Sequence, residues 1–304
     1  MNLHKLSAVL LAGAAGSTIL LSATAAGAAV AGPHGHTGGG ATKSAPVLPA
    51  PRVLPTLPKG YTLVTSDFLA FAGVLDADSA QCPGTEQPVG GGAFVSSSDV
   101  QVNLHSSYPD GGWWTVTVSN ASATSTDVTA YAICMAYSPY YRVVQSQATV
   151  NPESVNSQAV VCPAHTSVTG GGAYVPPVMD VNINSTVPNT FAGGHTGWRA
   201  AVASSDSSPT SFTVYAACRP KPAGYSIQWG PLQQLGTYTE GAASVTCPGA
   251  SVPIGGGGFT GYMTGDSGIN MNSSGPYGQG WVVYENNAED VVRSLGAAAI
   301  CAGT

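Results

Sequence analysis

The chain has 304 residues, of which only 8% are charged, and its formal net charge is −6 at pH 7. Ordinary globular domains carry about 25% charged residues, so the surface here is built mainly from Ser, Thr, Asn, Gly and Gln. The few basic residues form no cluster, which argues against nucleic acid as a partner.

The first 31 residues have the organisation of a secretory signal peptide. Lys5 supplies the positive start, Leu6 to Leu21 form an apolar run, and Ala29-Val30-Ala31 provides a small-x-small cleavage site. No later segment is apolar enough to span a bilayer. The sequence therefore predicts cleavage near Ala31 and a secreted, extracellular protein with no membrane span after signal removal.

Residues 32–58 follow as a predicted disordered linker. This segment, GPHGHTGGGATKSAPVLPAPRVLPTLP, consists of Pro, Gly and small polar residues with few apolar side chains. Such a composition cannot bury a hydrophobic core.

The rest of the chain consists of three β repeats, 61–137, 141–219 and 225–304, separated by short joints that contain Pro. Each repeat has a Cys-Pro pair, three glycines beginning eight residues after the Cys, and an aromatic residue twelve residues after it. A Trp always precedes the second Cys by 20 residues. These fixed counts indicate one shared backbone, in which loops absorb the differences in length.

All six cysteines lie in the repeats, two in each. Six cysteines allow fifteen pairings. The repetition selects one of them, namely Cys82–Cys134, Cys162–Cys218 and Cys247–Cys301. An exported chain meets an oxidising compartment in which such bonds persist. Zinc binding is the alternative, but Cys-Pro without a nearby Cys or His does not match zinc-ligand spacing. We therefore expect no metal and no cofactor.

Apolar and polar residues alternate in each repeat, which is typical of strands with one buried face. Val102 and Leu104 alternate with Asn103, for example, and Trp114 and Val116 alternate with Thr115. The prediction is an all-β protein of three homologous, disulfide-stapled antiparallel units. The short joints favour tandem small sandwiches. The three-fold repetition and low charge also suit a single pseudo-three-fold β-prism.

The glycine run resembles a phosphate-binding loop only in composition. A phosphate cradle needs a helix N-terminus and usually a Lys directly after the loop. Here a strand follows each run and no Lys is near. We therefore expect the glycines to mark a tight turn or bulge where the backbone is too crowded for Cβ atoms.

Polar and aromatic residues also recur in register and are the candidate ligand-binding residues. Amide groups and aromatic faces are the ingredients of sugar recognition, and three weak sites gain by avidity. The structural alternative places the Asn in turns or at a sheet edge and the Trp in the core. The candidates are Asn103, Ser106, Trp114, Asn182, Ser185, Trp198, Asn270, Ser273 and Trp281.

The repeats contain no recurring catalytic set. His105, His165 and His195 occupy three different repeat positions, and no carboxylate pair recurs as a glycosidase would require. The sequence thus predicts a non-catalytic binding or surface-associated protein, with a glycan or cell-envelope component as the multivalently bound ligand. One alternative is a purely structural matrix or envelope protein. The other is a hydrolase with a site in one repeat, at His105 or His195.

The Cys-Pro, Gly-Gly-Gly-aromatic, Gly-Trp and Tyr-Ala-x-Cys pattern resembles a repeat of secreted proteins from actinomycetes and their phages, over residues 61–302. This resemblance implies no particular activity. On symmetry alone, the chain is similar to the vitelline membrane outer layer proteins, which are three-fold β-prisms. A likeness of fold does not imply a function.

Overall fold

The structure is a computed structural model that describes residue 57 and residues 59–260 and 267–303. All of these residues belong to one compact unit. The predicted signal peptide and almost all of the predicted linker lie outside the described residues. No helix in the described ranges is long and apolar enough to cross a membrane.

Strands account for nearly all regular structure in the described ranges, as the alternating pattern predicts. The first repeat forms β1 (Tyr61–Ala70), β2 (Val74–Gln81), β3 (Gln87–Val95), β4 (Val102–Asp110), β5 (Trp113–Asn120) and β6 (Thr126–Met135). The second forms β7 (Arg142–Val150), β8 (Ser154–Val161), β9 (Ser167–Tyr174), β10 (Val181–Thr190), β11 (Thr196–Ser204) and β12 (Thr210–Arg219). A 3-10 turn at Ala192–Gly194 precedes β11.

The third repeat divides its first strand in two and otherwise follows the same order. It forms β13 (Ser226–Trp229), β14 (Gln233–Leu235), β15 (Thr239–Thr246), β16 (Val252–Thr260), β17 (Ile269–Tyr277), β18 (Gly280–Asn287) and β19 (Arg293–Ala302).

These strands form three antiparallel sheets, and each sheet takes strands from two repeats. Sheet I has the order β1-β6-β3-β17-β18-β15, and sheet II has the order β2-β5-β4-β9-β12-β7. Sheet III has the order β13-β19-β16-β10-β11-β8, with β14 also paired to β19. Each repeat therefore contributes strands to two sheets, and the three repeats interlock around a pseudo-three-fold axis.

The repeats meet within the sheets along three seams, each a short antiparallel contact between strands of different repeats. These contacts pair Ser107 with Ala173, Thr186 with Gly258, and Ser274 with Ala93. The expectation of tandem separate sandwiches is therefore wrong, and the β-prism alternative describes the topology. The short joints favoured separate sandwiches, but a short joint limits only the distance between consecutive strands. It does not determine which strand each of them pairs with.

The predicted disulfide pairing is confirmed, with sequence separations of 52, 56 and 54 residues. In each repeat the first Cys directly follows the second strand and the second Cys lies on the last strand. These two strands belong to different sheets. The bonds therefore tie all three pairs of sheets together, each contributing about 4 kcal/mol in the chain-entropy model. They also indicate that the chain folds in an oxidising environment.

The glycine runs are confirmed as crowded backbone, and each of the three glycines has its own neighbour. A Cβ on Gly90 would overlap the carbonyl oxygen of Ile254 from the third repeat. One on Gly91 would overlap the indole ring of Trp114. One on Gly92 would overlap the Ser274 carbonyl across the seam. The other two repeats repeat these contacts. In each run the first glycine lies against the backbone of another repeat, the second against the core Trp, and the third against the strand across the seam.

Candidate functional site

The three candidate tryptophans are core residues and not surface residues. Trp114 is 1% exposed, and Trp198 and Trp281 are 0% exposed. Each indole N–H donates to a hydroxyl on the neighbouring strand of its own repeat, at 2.6–2.9 Å. With the ring against a glycine backbone and its N–H satisfied, each Trp is fully used by the fold. The structure therefore does not place these residues where a ligand can reach them.

The three candidate serines are buried at the seams. Each hydroxyl accepts the backbone N–H at or just after the end of the facing repeat's third strand, at 2.8–3.2 Å. The acceptors are Ser106, Ser185 and Ser273, which bind the N–H groups of Val175, Thr260 and Val95. Each serine follows a β-bulge, where the register of its strand shifts by one residue. These side chains hold repeats together and do not contact solvent.

His105 also belongs to this seam network. Asn184 and Asn272 occupy the equivalent positions and accept the hydroxyl of the following Ser through their Oδ1 atoms, at 2.8 and 2.7 Å. The His105 Nδ1 lies 3.1 Å from the Ser106 hydroxyl, and its Nε2 lies 3.2 Å from the Val178 carbonyl. Because a carbonyl only accepts, Nε2 carries the proton, which leaves Nδ1 as an acceptor facing the Ser106 hydroxyl.

The imidazole of His105 thus replaces an asparagine side chain, with an acceptor and a donor in corresponding places. Its burial lowers the pKa to about 4, although hydrogen bonds to the Val178 and Pro176 backbone oppose the shift. The ring is neutral at physiological pH and is occupied on both nitrogens. His165 and His195 are exposed in separate turns.

The three candidate asparagines do come together. Asn103, Asn182 and Asn270 line one cleft of ≈ 190 Å³, which we call the axial cleft. Equivalent positions of all three repeats contribute, so the cleft lies on the pseudo-three-fold axis. Its lining also includes Val100, Met179 and Ser267, which start the three asparagine turns. The asparagines that the sequence assigned to three separate sites therefore line one shared cleft.

Each asparagine first closes its own turn. The Nδ2 groups donate to the carbonyls three residues earlier, at 3.3–3.4 Å. Beyond that, the copies differ. The Asn103 Oδ1 accepts from the Asn286 Nδ2 at 2.9 Å. The Oδ1 atoms of Asn182 and Asn270 are buried and have no partner among the described residues.

The residue that faces each asparagine explains this difference. Asn286 of the third repeat corresponds to Ser119 of the first and Ala203 of the second, each five residues after the Trp. Ser119 is too short to reach the asparagine and donates to the Met179 carbonyl at 3.0 Å. Ala203 has no donor. Two buried acceptors at the axial cleft are therefore left without a hydrogen-bond partner among the described residues.

A second surface was not predicted from the sequence. Three tyrosines on the outer face of sheet II, Tyr108, Tyr174 and Tyr215, surround the seam between β4 and β9 and are each partly exposed. The ring of Tyr108 lies 5.4 Å from Tyr174 in edge-to-face geometry and 5.1 Å from Tyr215 in stacked geometry. Partial burial raises the pKa of Tyr108 to about 12, and the nearby Asp110 carboxylate adds to the shift. We call this surface the tyrosine face.

Uncharged polar residues extend the tyrosine face across the sheet. Thr115 pairs with Tyr108, Thr213 pairs with Tyr174, and Gln145 pairs with Tyr215, so all three share this side. Trp113, opposite Asp110 at the end of the same strand pair, is 40% exposed. The result is a sheet surface of aromatic rings, hydroxyls and amides with little charge.

The corresponding surfaces of the other sheets carry other aromatic groups. On sheet I, Phe94, Tyr131 and Tyr284 form a buried cluster, each no more than 8% exposed. On sheet III, the Trp229 ring packs edge to face on Phe259 at 5.4 Å. Trp229 is 51% exposed and Phe259 is half-buried, so sheet III presents two rings, whereas sheet II brings three packed rings together at its seam. The aromatic position after the glycines gave a signal for Tyr174, and the Tyr-Ala-x-Cys pattern gave one for Tyr215, but Tyr108 lies at a position that does not repeat as aromatic.

One buried carboxylic acid is outside both surfaces. Glu285 is 0% exposed, and neither of its oxygens has a hydrogen-bond partner among the described residues. Its equivalents are the core residues Val118 and Val202. Burial raises its pKa well above the ordinary value of Glu. Burial therefore favours the protonated acid, because an isolated buried carboxylate is far costlier than a buried acid.

Comparison of the sequence with protein-family models and with curated proteins finds no match.

Proposed function

We propose that this protein is a secreted, non-catalytic binding protein of the extracellular surface, and that its ligand is a neutral glycan or cell-envelope polymer held on the tyrosine face. The observation that carries the proposal is the group of three partly exposed, mutually packed tyrosine rings on an almost uncharged sheet surface. Sugar rings stack their apolar faces on aromatic side chains, and their hydroxyls need neighbouring donors and acceptors.

Electrostatics also favour a neutral ligand. The chain has few charges and the tyrosine face has Asp110 as its nearby charge, so a polyanion gains little there. The resemblance of residues 61–302 to repeats of secreted actinomycete proteins supports an extracellular setting, as do the disulfides. Non-catalytic binding is supported by His105, whose two nitrogens are committed to the seam.

Binding to insoluble polysaccharides and to isolated cell envelopes tests the proposal. We expect the folded protein to cosediment with at least one of them, and Tyr108→Ala and Tyr215→Ala each to weaken binding by about 3- to 10-fold, the effect of one lost ring contact. Tyr215→Phe should retain most binding because it keeps the ring. Tyr140→Ala is the matched control, since Tyr140 is 66% exposed and is not one of the three packed rings.

Binding that survives removal of all three rings would place the ligand elsewhere. No binding to any polymer would favour the second candidate, a purely structural matrix or envelope protein. The observation that favours this candidate is the interlocking of the repeats, with a disulfide between every pair of sheets. A structural protein of this kind needs no ligand, and self-association at high concentration is its distinguishing measurement.

A further inference from the structure

We propose that the axial cleft is a second binding site, independent of the tyrosine face, and that it takes a primary ammonium group. Its built feature is the pair of asparagines whose side-chain oxygens are buried without a partner among the described residues, at Asn182 and Asn270. Asn182 is 6% exposed. Buried polar groups are normally hydrogen-bonded, and each one left unpaired calls for a ligand or an ordered water.

The chemistry of the open groups selects the ligand class. The unpaired atoms are acceptors, because the Nδ2 groups of both asparagines already donate to turn carbonyls. Among the described residues of the lining, Asp180 is the charged one and adds negative potential. An ammonium group has three donors and no acceptor, which matches two amide oxygens and a carboxylate in number and in sign.

A metal ion fits less well. Calcium takes six to eight oxygen ligands and gains affinity from several carboxylates. The described part of the lining has one carboxylate, and no group of three or more His, Cys, Asp or Glu residues in the same ranges is arranged to hold a metal. An ammonium group bonds well with fewer, directional acceptors. Amino sugars and lysine side chains both carry this group, and the experiment separates them.

The first repeat shows how the open acceptors are closed from within. The Asn103 Oδ1 accepts the Asn286 Nδ2, which also donates to the Val102 carbonyl at 2.8 Å. An asparagine at position 203 stands in the equivalent place toward Asn270, and one at position 119 stands in the equivalent place toward Asn182. Ala203→Asn and Ser119→Asn therefore supply internal donors while leaving both turns intact.

Titration of the full chain, followed by the NMR signals of the Asn182 and Asn270 side-chain amides, tests the site. We expect saturable shifts with propylammonium and none with tetramethylammonium, which has the charge but no N–H donor. Glucosamine against N-acetylglucosamine, and N-acetyl-lysine amide against its ε-acetylated form, are the two source arms. The Ser119→Asn, Ala203→Asn double variant should weaken propylammonium binding by about 10-fold or more, the loss expected when one charge-assisted hydrogen-bond set is removed.

Asp180→Asn provides a second variant on an exposed residue, and it should also weaken propylammonium binding. Equal shifts with tetramethylammonium would overturn the proposal, since they would show only general charge attraction. Displacement of propylammonium by equimolar calcium would overturn it in favour of a metal site. Tyr215→Ala should leave the titration unchanged, so failure here and failure of glycan binding on the tyrosine face are separate results.

Discussion

His105 shows how one residue can look catalytic in a sequence and be structural in the fold. It lies where the other repeats have asparagine, and its ring nitrogens take the acceptor and donor roles of that side chain, although Nε2 reaches the Val178 carbonyl and not the equivalent of the Ile269 carbonyl that Asn184 reaches. The sequence gives the equivalence with Asn184 and Asn272. What it does not give is the bulge before Ser106, which turns this side chain into the seam.

This replacement makes the stability of the protein depend on pH. The folded pKa of His105 is about 4, below the ordinary value of 6.5. The unfolded chain therefore binds more protons between these values, and stability is lost as pH falls through that window. We expect this group to cost about 2 kcal/mol of unfolding free energy between pH 7.5 and pH 5.

The measurement is urea unfolding at both pH values for the wild type and His105→Asn. The variant keeps an acceptor and a donor at this position but cannot titrate, so its loss should be smaller by that amount. His165→Asn is the control, because His165 is exposed and has a positive φ of 65° that asparagine tolerates. An unchanged pH dependence in His105→Asn would contradict the neutral, buried assignment.

Glu285 has the opposite pH effect at the same scale. Its folded-state pKa is raised by burial, so the folded protein binds the extra proton and stability falls as pH rises above the ordinary Glu value. Glu285→Val restores the residue type of Val118 and Val202. We expect it to stabilise the protein at pH 7.5 by about 1–3 kcal/mol, the cost of burying an unpaired polar group.

The comparison requires unfolding curves at pH 5 and pH 7.5 for both proteins. The gain from Glu285→Val should be larger at pH 7.5. Glu240, whose pKa burial raises to about 8, is present in both proteins, so its contribution cancels from the difference. A variant less stable than the wild type at pH 7.5 would show that Glu285 has a partner that offsets its burial.

At the scale of the element, the glycine run explains the invariant count between Cys and strand. Three consecutive glycines occupy one strand because a different neighbour packs closely against each of them. The sequence predicted crowding at this strand, since a run of glycines beside a strand pattern indicates close backbone approach. It could not identify the neighbours, because two of the three belong to another repeat.

Substitution at the middle glycine tests this explanation. Gly91→Ala places a methyl group on the Trp114 ring, with the Tyr131 carbonyl on the same side. We expect a loss of about 1–3 kcal/mol or more, typical of overpacking in a rigid core. Gly112→Ala is the matched control, because no atom lies within 4 Å of its Cβ position and its φ is not positive.

Thermal and urea unfolding of the two glycine variants supply the comparison. The control should stay within about 0.5 kcal/mol of the wild type, as surface substitutions usually do. Equal stability of both variants would mean that the Trp114 ring moves aside without cost.

At the scale of the whole molecule, the strands and disulfides were predictable and the partners across the seams were not. Alternation and cysteine register are local properties, and they follow from residues such as Val102, Leu104 and Cys134 alone. The seams join residues like Ser107 and Ala173 through a single pair, which leaves no periodic signal. The candidate Asn and Trp residues likewise gave the same signal in the sequence, because both recur in every repeat. The fold places the Asn residues at the axis and the Trp residues in the core.

Interlocking has a direct consequence for the stability of a single repeat. The fragment 141–219 keeps its disulfide, but β9 and β10 lose the partners that continue sheets II and III. Two exposed sheet edges and an open axis remain, and such edges favour aggregation. We expect this fragment to be unfolded or aggregated by circular dichroism and gel filtration. An independently folded monomeric fragment would support separate sandwiches instead.

A circular permutant distinguishes loss of chain connection from loss of partners. The joint between β6 and β7 spans residues 136–141, and the joint between β12 and β13 spans residues 220–225. By the pseudo-three-fold relation, a joint of the same length connects the end of β19 to the start of β1. A permutant beginning at Tyr140, with a copy of residues 136–141 between Ala302 and Tyr61 and ending at Tyr137, breaks the chain where the fragment does yet retains all strands. It should fold to a monomer and unfold in one cooperative transition within a few degrees of the wild type. Separate transitions for the three repeats would contradict the interlocked topology, because strands shared across a sheet cannot be released one repeat at a time.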